Sequence, residues 1–119
     1  MIDVGDLVGL PYRDGGRGPD SYDCYGLAIE IYRRDGKELP DLRYLDHDPG
    51  IVGHVIDGLP LRETNRPPRE MDIIEMVYRG ELHVGVAISG RDFIHATRLG
   101  VRVSPIGLYP VRGMYEWAK

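Results

Sequence analysis

The sequence predicts an α+β domain: an N-terminal helix followed by an antiparallel sheet. Cys24, Leu27, Ala28 and Ile31 recur at the i, i+3, i+4, i+7 spacing of a helix with one buried face. Beyond residue 70 the chain instead breaks into short apolar runs divided by Gly-containing turns, the pattern of consecutive strands. A helix-rich half followed by strands argues against alternating βαβ units.

The elements follow in order. Asp14 to Ser21 (DGGRGPDS) is a loop, broken by two adjacent glycines and by Gly18-Pro19. Asp23 is a good N-cap residue one position before Cys24, so the cysteine falls in the first helical turn. The helix runs to about Asp35, with Arg33 and Arg34 in its last turn and Gly36 suited to the C′ position. Leu39 to Pro49 is turn-rich and irregular, and Ile51 to Ile56 (IVGHVI) forms a short helix after Asp48-Pro49. The adjacent prolines of Asn65 to Arg69 (NRPPR) forbid helix and make an extended linker. Met71–Tyr78, Leu82–Ile88, Asp92–Thr97 and Val101–Ser104 read as strands, with a final strand over Val111 to Trp117. No repeat or low-complexity tract divides residues 1–119, which read as one domain.

A hydrophobic fraction of 42% and a charged fraction of 29% are those of an ordinary globule. The balance of 15 basic and 19 acidic residues gives −4, which argues against broad electrostatic binding to nucleic acid. No apolar run approaches the roughly 18 residues of a membrane span. The first residues lack the basic start and apolar stretch of a signal peptide, so the expectation is synthesis in the cytoplasm, with delivery elsewhere needing a carrier. One cysteine forms no intramolecular disulfide.

That cysteine has two readings. A lone thiol is commonly a small buried hydrophobe. At a helix start, unpaired N–H groups and the positive end of the helix dipole favour the thiolate and hence a nucleophile. The histidines downstream weigh on the choice. His83 shares one strand face with Gly85 and Ala87, while Leu82, Val84, Val86 and Ile88 take the other. The small residues suggest that the Cys24 helix approaches the His83 face. His95 lies in the next strand, and the loop near Ser89-Gly90-Arg91 decides its side. A three-residue loop puts His83 and His95 on one face, whereas two or four residues separate them. Partly buried histidines satisfied by backbone, or a zinc site from Cys24, His83 and His95, are the alternatives, although the chain has no closely spaced zinc-ligand pair. His47 and His54 fall in the irregular middle, where surface positions are expected.

Together these segments resemble the NlpC-type cell-wall cysteine peptidases, a papain-like family. Tyr12-Arg13-Asp14-Gly15-Gly16 resembles the family's tyrosine followed by a glycine pair, and Asp23-Cys24-Tyr25-Gly26-Leu27 its Asp-Cys-Ser-Gly-Leu nucleophile motif. Glu70-Met71-Asp72-Ile73-Ile74 resembles the Pro-Gly-Asp strand entry, His83-Val84-Gly85-Val86 the His-Val-Gly-Ile strand, and Phe93-Ile94-His95-Ala96 the Phe-Ile-His-Ala strand. The five pieces occur in family order over about residues 4 to 117. Gly16-Arg17-Gly18-Pro19, ahead of the cysteine motif, looks most like the bacteriophage and prophage tail subgroup.

The resemblance implies a papain-like fold and hydrolysis of a γ-D-glutamyl–diamino acid bond in peptidoglycan stem peptides, without a cofactor or metal. It implies Cys24 as nucleophile, His83 as its proton acceptor and donor, and His95 as the residue orienting His83. Tyr12 would assist beside the thiol, and the Cys24 N–H would serve as oxyanion donor. In the family, the residues flanking the cysteine are associated with the substrate's free amino end, which assigns Asp23 and Tyr25 to substrate binding. Tyr25 stands where the family has serine, and Asp14 where it has tryptophan. The tail subgroup implies other tail-tip or baseplate proteins as partners and a virion-associated location. The rival from another class is a structural tail protein that keeps this fold with little activity.

Overall fold

The computed structural model describes residues 2–42, 50–56 and 58–119. After a 3-10 turn (Gly5–Leu7) come α1 (Cys24–Arg34) and α2 (Ile51–Ile56). Six strands follow: β1 (Leu61–Thr64), β2 (Ile73–Tyr78), β3 (Glu81–Ala87), β4 (Asp92–Thr97), β5 (Gly100–Pro105) and β6 (Val111–Trp117). They form one sheet in the order β1-β6-β2-β3-β4-β5, with every neighbouring pair antiparallel. The helix packed on an antiparallel sheet is the expected α+β architecture.

The sequence reading lacks β1. Its four residues carry one buried apolar side chain, Leu61, beside exposed Arg62 and Glu63, so no alternation announces it. Its partner is β6, with Leu61 opposite Trp117. Such a pairing is decided by tertiary contact, not local propensity.

Two hydrophobic layers sandwich the sheet. Leu27, Ala28, Ile31 and Tyr32 of α1 share a core with Ile73, Val84, Val86, Ile94, Ala96 and Tyr115. Ile74, Met76, Ala87 and Phe93 form a second cluster on the opposite face. The helix therefore docks on the Val84/Val86 face, which corrects the expectation that it would approach Gly85 and Ala87. Gly85 serves a different close approach: a Cβ there would lie 2.5 Å from the Phe93 ring and 2.9 Å from the Ile94 carbonyl. The bare glycine accommodates a cross-strand aromatic, not a helix.

The entry to β2 is pinned from three sides. Asp72, buried, takes both terminal nitrogens of Arg66 at 2.7 and 2.8 Å and the Arg69 N–H at 2.8 Å, fixing the proline linker to the sheet. Met71 sits at φ +78°, where the family's strand entry has glycine. Its N–H bonds to Ala87 and its carbonyl accepts from the Tyr32 hydroxyl, so tertiary contacts hold a conformation costing about 1–2 kcal/mol in an L-residue.

The start of α1 is held as tightly. A Cβ on Gly26 would lie 2.0 Å from the Gly16 carbonyl oxygen, so the glycine-rich loop rests on bare helix backbone. An exposed helical Gly→Ala change ordinarily stabilises by about 1 kcal/mol. Here Gly26→Ala is expected to destabilise by about 1–3 kcal/mol through overpacking. Urea unfolding monitored by circular dichroism measures the change; a gain in stability would contradict the close approach.

Candidate active site

Asp23 enters the helix in extended conformation, and its Oδ1 accepts the Gly26 N–H at 2.6 Å. The same oxygen accepts Arg17 Nη1 at 2.7 Å. Arg17 also donates to the carbonyls of Gly16 and Leu42 and to Asp41 Oδ1, each at 3.0 Å. One guanidinium thus ties the loop, the helix cap and the segment after α1 together. A substrate amine at Asp23 would share a carboxylate already carrying a cap and an ion pair.

Cys24 is partly exposed as a residue, but its thiol is turned inward. Burial pushes the thiol up to about 12, aided by the Asp23 carboxylate and opposed by backbone N–H groups of Val84, Tyr25 and Cys24 itself. The helix start does favour the thiolate, as its sequence position suggests, yet desolvation wins in the resting molecule. Tyr12 is close enough to interact electrostatically with Cys24. Its hydroxyl donates to Asp14 Oδ1 at 2.8 Å, and burial, followed by this carboxylate, raises its pKa. The Tyr12 proton is therefore committed to Asp14, while the phenol oxygen remains able to accept.

Val84 reaches the sulfur because β3 and β4 part there. Their ladder comprises Val86↔Ile94 and Ala87↔Phe93, closed by the Ile88 N–H to Asp92 at 3.0 Å. The connecting loop is the three-residue Ser89-Gly90-Arg91, which selects the same-face arrangement of His83 and His95. Ala87 bonds toward β2 through Asp72 and Met71, so alternation turns the Val84 N–H toward β4. With no ladder partner among the described residues at that position, this N–H meets the thiol instead.

His83 and His95 project from the face opposite α1. His83 Nε2 lies 2.9 Å from His95 Nδ1, and His95 Nε2 lies 2.9 Å from Ser104 Oγ. His95 is 0% exposed and Ser104 is buried. Tyr78 packs against His83 with ring centroids 4.9 Å apart, and Phe93 lies 4.3 Å from His95. Burial lowers His83 to about 3, with the second imidazole adding to the effect, and lowers His95 to about 4, with Arg102 adding. Both rings are neutral at neutral pH. Because Nε2 of His83 faces His95, Nδ1 is its nitrogen free for chemistry. Cys24 and His83 form no hydrogen bond with each other; the thiol contacts the backbone of the residue after His83. The facing nitrogens of the two imidazoles are engaged with each other, which keeps that pair from ligating a common ion.

Tyr25 is fully buried and donates its hydroxyl to the Pro40 carbonyl at 2.8 Å. His54 lies partly exposed in α2, and His47 falls outside the described residues. Ser104 was not singled out by the sequence reading. It faces Phe93 across the β4–β5 ladder, which puts it on the His95 face; only that register, fixed through the Thr97↔Gly100 turn, could have pointed to it.

A thiol among backbone donors and a neutral imidazole pair on adjoining strands are elements of nucleophilic acyl chemistry. The model of the NlpC/P60 family matches residues 9–109, and the chain belongs to that family. It is 26% identical over 109 residues to a probable endopeptidase of Mycobacterium tuberculosis, covering 92% of this chain and 26% of that protein. It is 26% identical over 106 residues to the γ-D-glutamyl-L-lysine dipeptidyl-peptidase of Bacillus subtilis, covering 86% of this chain and 32% of the relative. The chain thus spans about a quarter to a third of the length of these curated relatives. The solved structure of NlpC1 from Trichomonas vaginalis superposes with a TM-score of 0.67 at 26% identity, over 93% of this chain and 41% of that one.

The depressed histidines set a pH dependence. As pH falls below about 6.5, the unfolded chain takes up protons that folded His83 and His95 refuse. Their neutral burial is compatible with full stability above that pH and costs stability progressively toward about 4 and about 3. Each histidine contributes at most about 1.4 kcal/mol per pH unit within its window. Chemical denaturation at pH 7.0 and 4.5 is expected to show a smaller loss for His83→Gln than for the native protein. Equal losses would contradict a neutral buried His83.

Proposed function

We propose that this chain is a cysteine peptidase acting on peptidoglycan stem peptides at a γ-D-glutamyl–diamino acid bond. The observation that carries the reading is the site's assembly: Cys24 at the α1 N-terminus, with the Val84 N–H at its sulfur and the His83–His95 pair projecting from the adjoining strands. Family membership and the activity named for the Bacillus subtilis relative support the substrate class.

In this mechanism the thiol proton passes to His83 Nδ1 as sulfur attacks the scissile carbonyl. The S–C bond forms, the carbonyl π electrons move to oxygen, and the Cys24 N–H at the helix start stabilises the oxyanion. Collapse breaks the C–N bond, and the His83 imidazolium gives its proton to the leaving amine. Water, deprotonated by neutral His83, then attacks the thioester carbonyl and releases Cys24 and the acid. His95 holds the His83 ring through the Nε2–Nδ1 hydrogen bond. The neutral resting pair makes sulfur attack and proton transfer coupled events.

We further assign the protein to a phage or prophage tail, made in the cytoplasm and carried to the wall with tail-tip or baseplate proteins. The segment Gly16-Arg17-Gly18-Pro19 before the cysteine motif supports this. The rival reading, a tail protein with a weakly active fold, is favoured by the raised thiol pKa and the missing Cys24–His83 hydrogen bond.

Incubation with defined muropeptides, read by mass spectrometry, separates the two. Cleavage is expected from the native protein and not from Cys24→Ala. His83→Ala is expected to lower kcat by at least about 100-fold, in line with loss of a general acid–base. Failure to cleave, both free and docked in its assembly, leaves the structural reading.

A further inference from the structure

Ser104 ends the imidazole chain, and its hydroxyl bears on the protonation pattern that the reaction needs. The two contacts, His83 Nε2 to His95 Nδ1 and His95 Nε2 to Ser104 Oγ, are both 2.9 Å, and all three side chains are buried. Two arrangements of protons satisfy both contacts with neutral rings. In the first, His83 carries its proton on Nε2 and donates to His95 Nδ1, and His95 carries its proton on Nε2 and donates to Ser104. His83 Nδ1 is then a bare lone pair. In the second, Ser104 donates to His95, His95 donates from Nδ1 to His83 Nε2, and His83 Nδ1 carries the proton.

The proposed reaction requires the first. With His83 Nδ1 bare, the proposed reaction has an acceptor for the thiol proton, and both ring N–H groups have acceptors within the chain. That arrangement requires the far end to accept, and His95 is 0% exposed, so water does not supply the acceptor. We propose that Ser104 is a positioning residue of this site: by accepting the His95 Nε2–H, it holds His95 and His83 in the tautomers that leave His83 Nδ1 ready to take the Cys24 proton.

The inference rests on the proposed Cys24–His83 reaction, but it is tested without it. Removing the hydroxyl leaves a buried N–H without an acceptor, which is more costly than a bare imidazole nitrogen. His95 should then move its proton to Nδ1, and His83 must follow, placing N–H at Nδ1.

Long-range nitrogen–proton NMR of the 15N-histidine-labelled protein at pH 7 reads the tautomers directly. Native protein and Ser104→Thr, which keeps the hydroxyl, are expected to show Nε2–H on both rings. Ser104→Ala is expected to show Nδ1–H on both. Cys24 alkylation by iodoacetamide supplies a second measure, with Ser104→Ala slowed about tenfold or more at pH 7 and Ser104→Thr near native, since a general base is withdrawn. Native tautomers in Ser104→Ala, or alkylation within twofold of native, would overturn the role. If Ser104→Ala does not fold, the native protein still decides: Nδ1–H on its His83 overturns the proposal. Altered tautomers together with no muropeptide cleavage by the native protein would sink the peptidase reading and leave the Ser104 assignment standing.

Discussion

The register of the β3–β4 hairpin is the constraint on which both layers of the molecule depend. Side chains alternate across a strand, so a one-residue slip would exchange the two faces of β4. With Ile88 opposite Asp92, Val84, Val86, Ile94 and Ala96 all lie under α1, and His83 and His95 both lie on the other face. The apolar set has far more to lose from a slip than the histidines do. Core burial is worth roughly 25 cal/mol per Å² of apolar surface, and it fixes the register that the histidine pair then uses. The histidine pair is placed here by packing that does not involve the imidazoles.

The same packing sets the electrostatics. A thiol and two imidazoles taken out of water all shift toward their neutral forms, the thiol upward and the rings downward. Three backbone N–H groups around the sulfur work against this without overcoming it. The resting site therefore stores little charge separation in a dry interior, where an unpaired ion is costly. The N–H dipoles around the sulfur are fixed by the fold, and the one from Val84 depends on the parting of β3 and β4.

Much of this was legible in the sequence, for identifiable reasons. The α1 boundaries were marked by Asp23 and Gly36, and β4 and β6 by apolar alternation between turn residues. The hairpin loop was narrowed to a small set of lengths, one of which brings His83 and His95 together. The docking face of α1 was misread because small residues on a strand have two uses: Gly85 admits the Phe93 ring across the ladder, not a helix. β1 escaped because Leu61–Thr64 has almost no pattern of its own. Ser104 escaped because a serine in a strand carries no signal until the register places it beside His95. The thiol's raised pKa escaped because the helix-start effect is local and readable, whereas desolvation comes from residues far away in sequence.

The departures beside the nucleophile can be weighed on the same terms. Tyr25 fills a core position and sends its hydroxyl to Pro40, so a serine there would vacate buried volume and release the segment after α1. Asp23 carries the helix cap and, through Arg17, the anchoring of that same segment at Asp41 and Leu42. Both positions thus contribute to holding residues 40–42 against the helix start. A cation arriving at Asp23 would compete with Arg17, and any displacement of Arg17 would loosen the loop that rests on the helix start at Gly26. The helix cap and the Arg17 clamp are mechanically linked in this chain, because one carboxylate oxygen supports both.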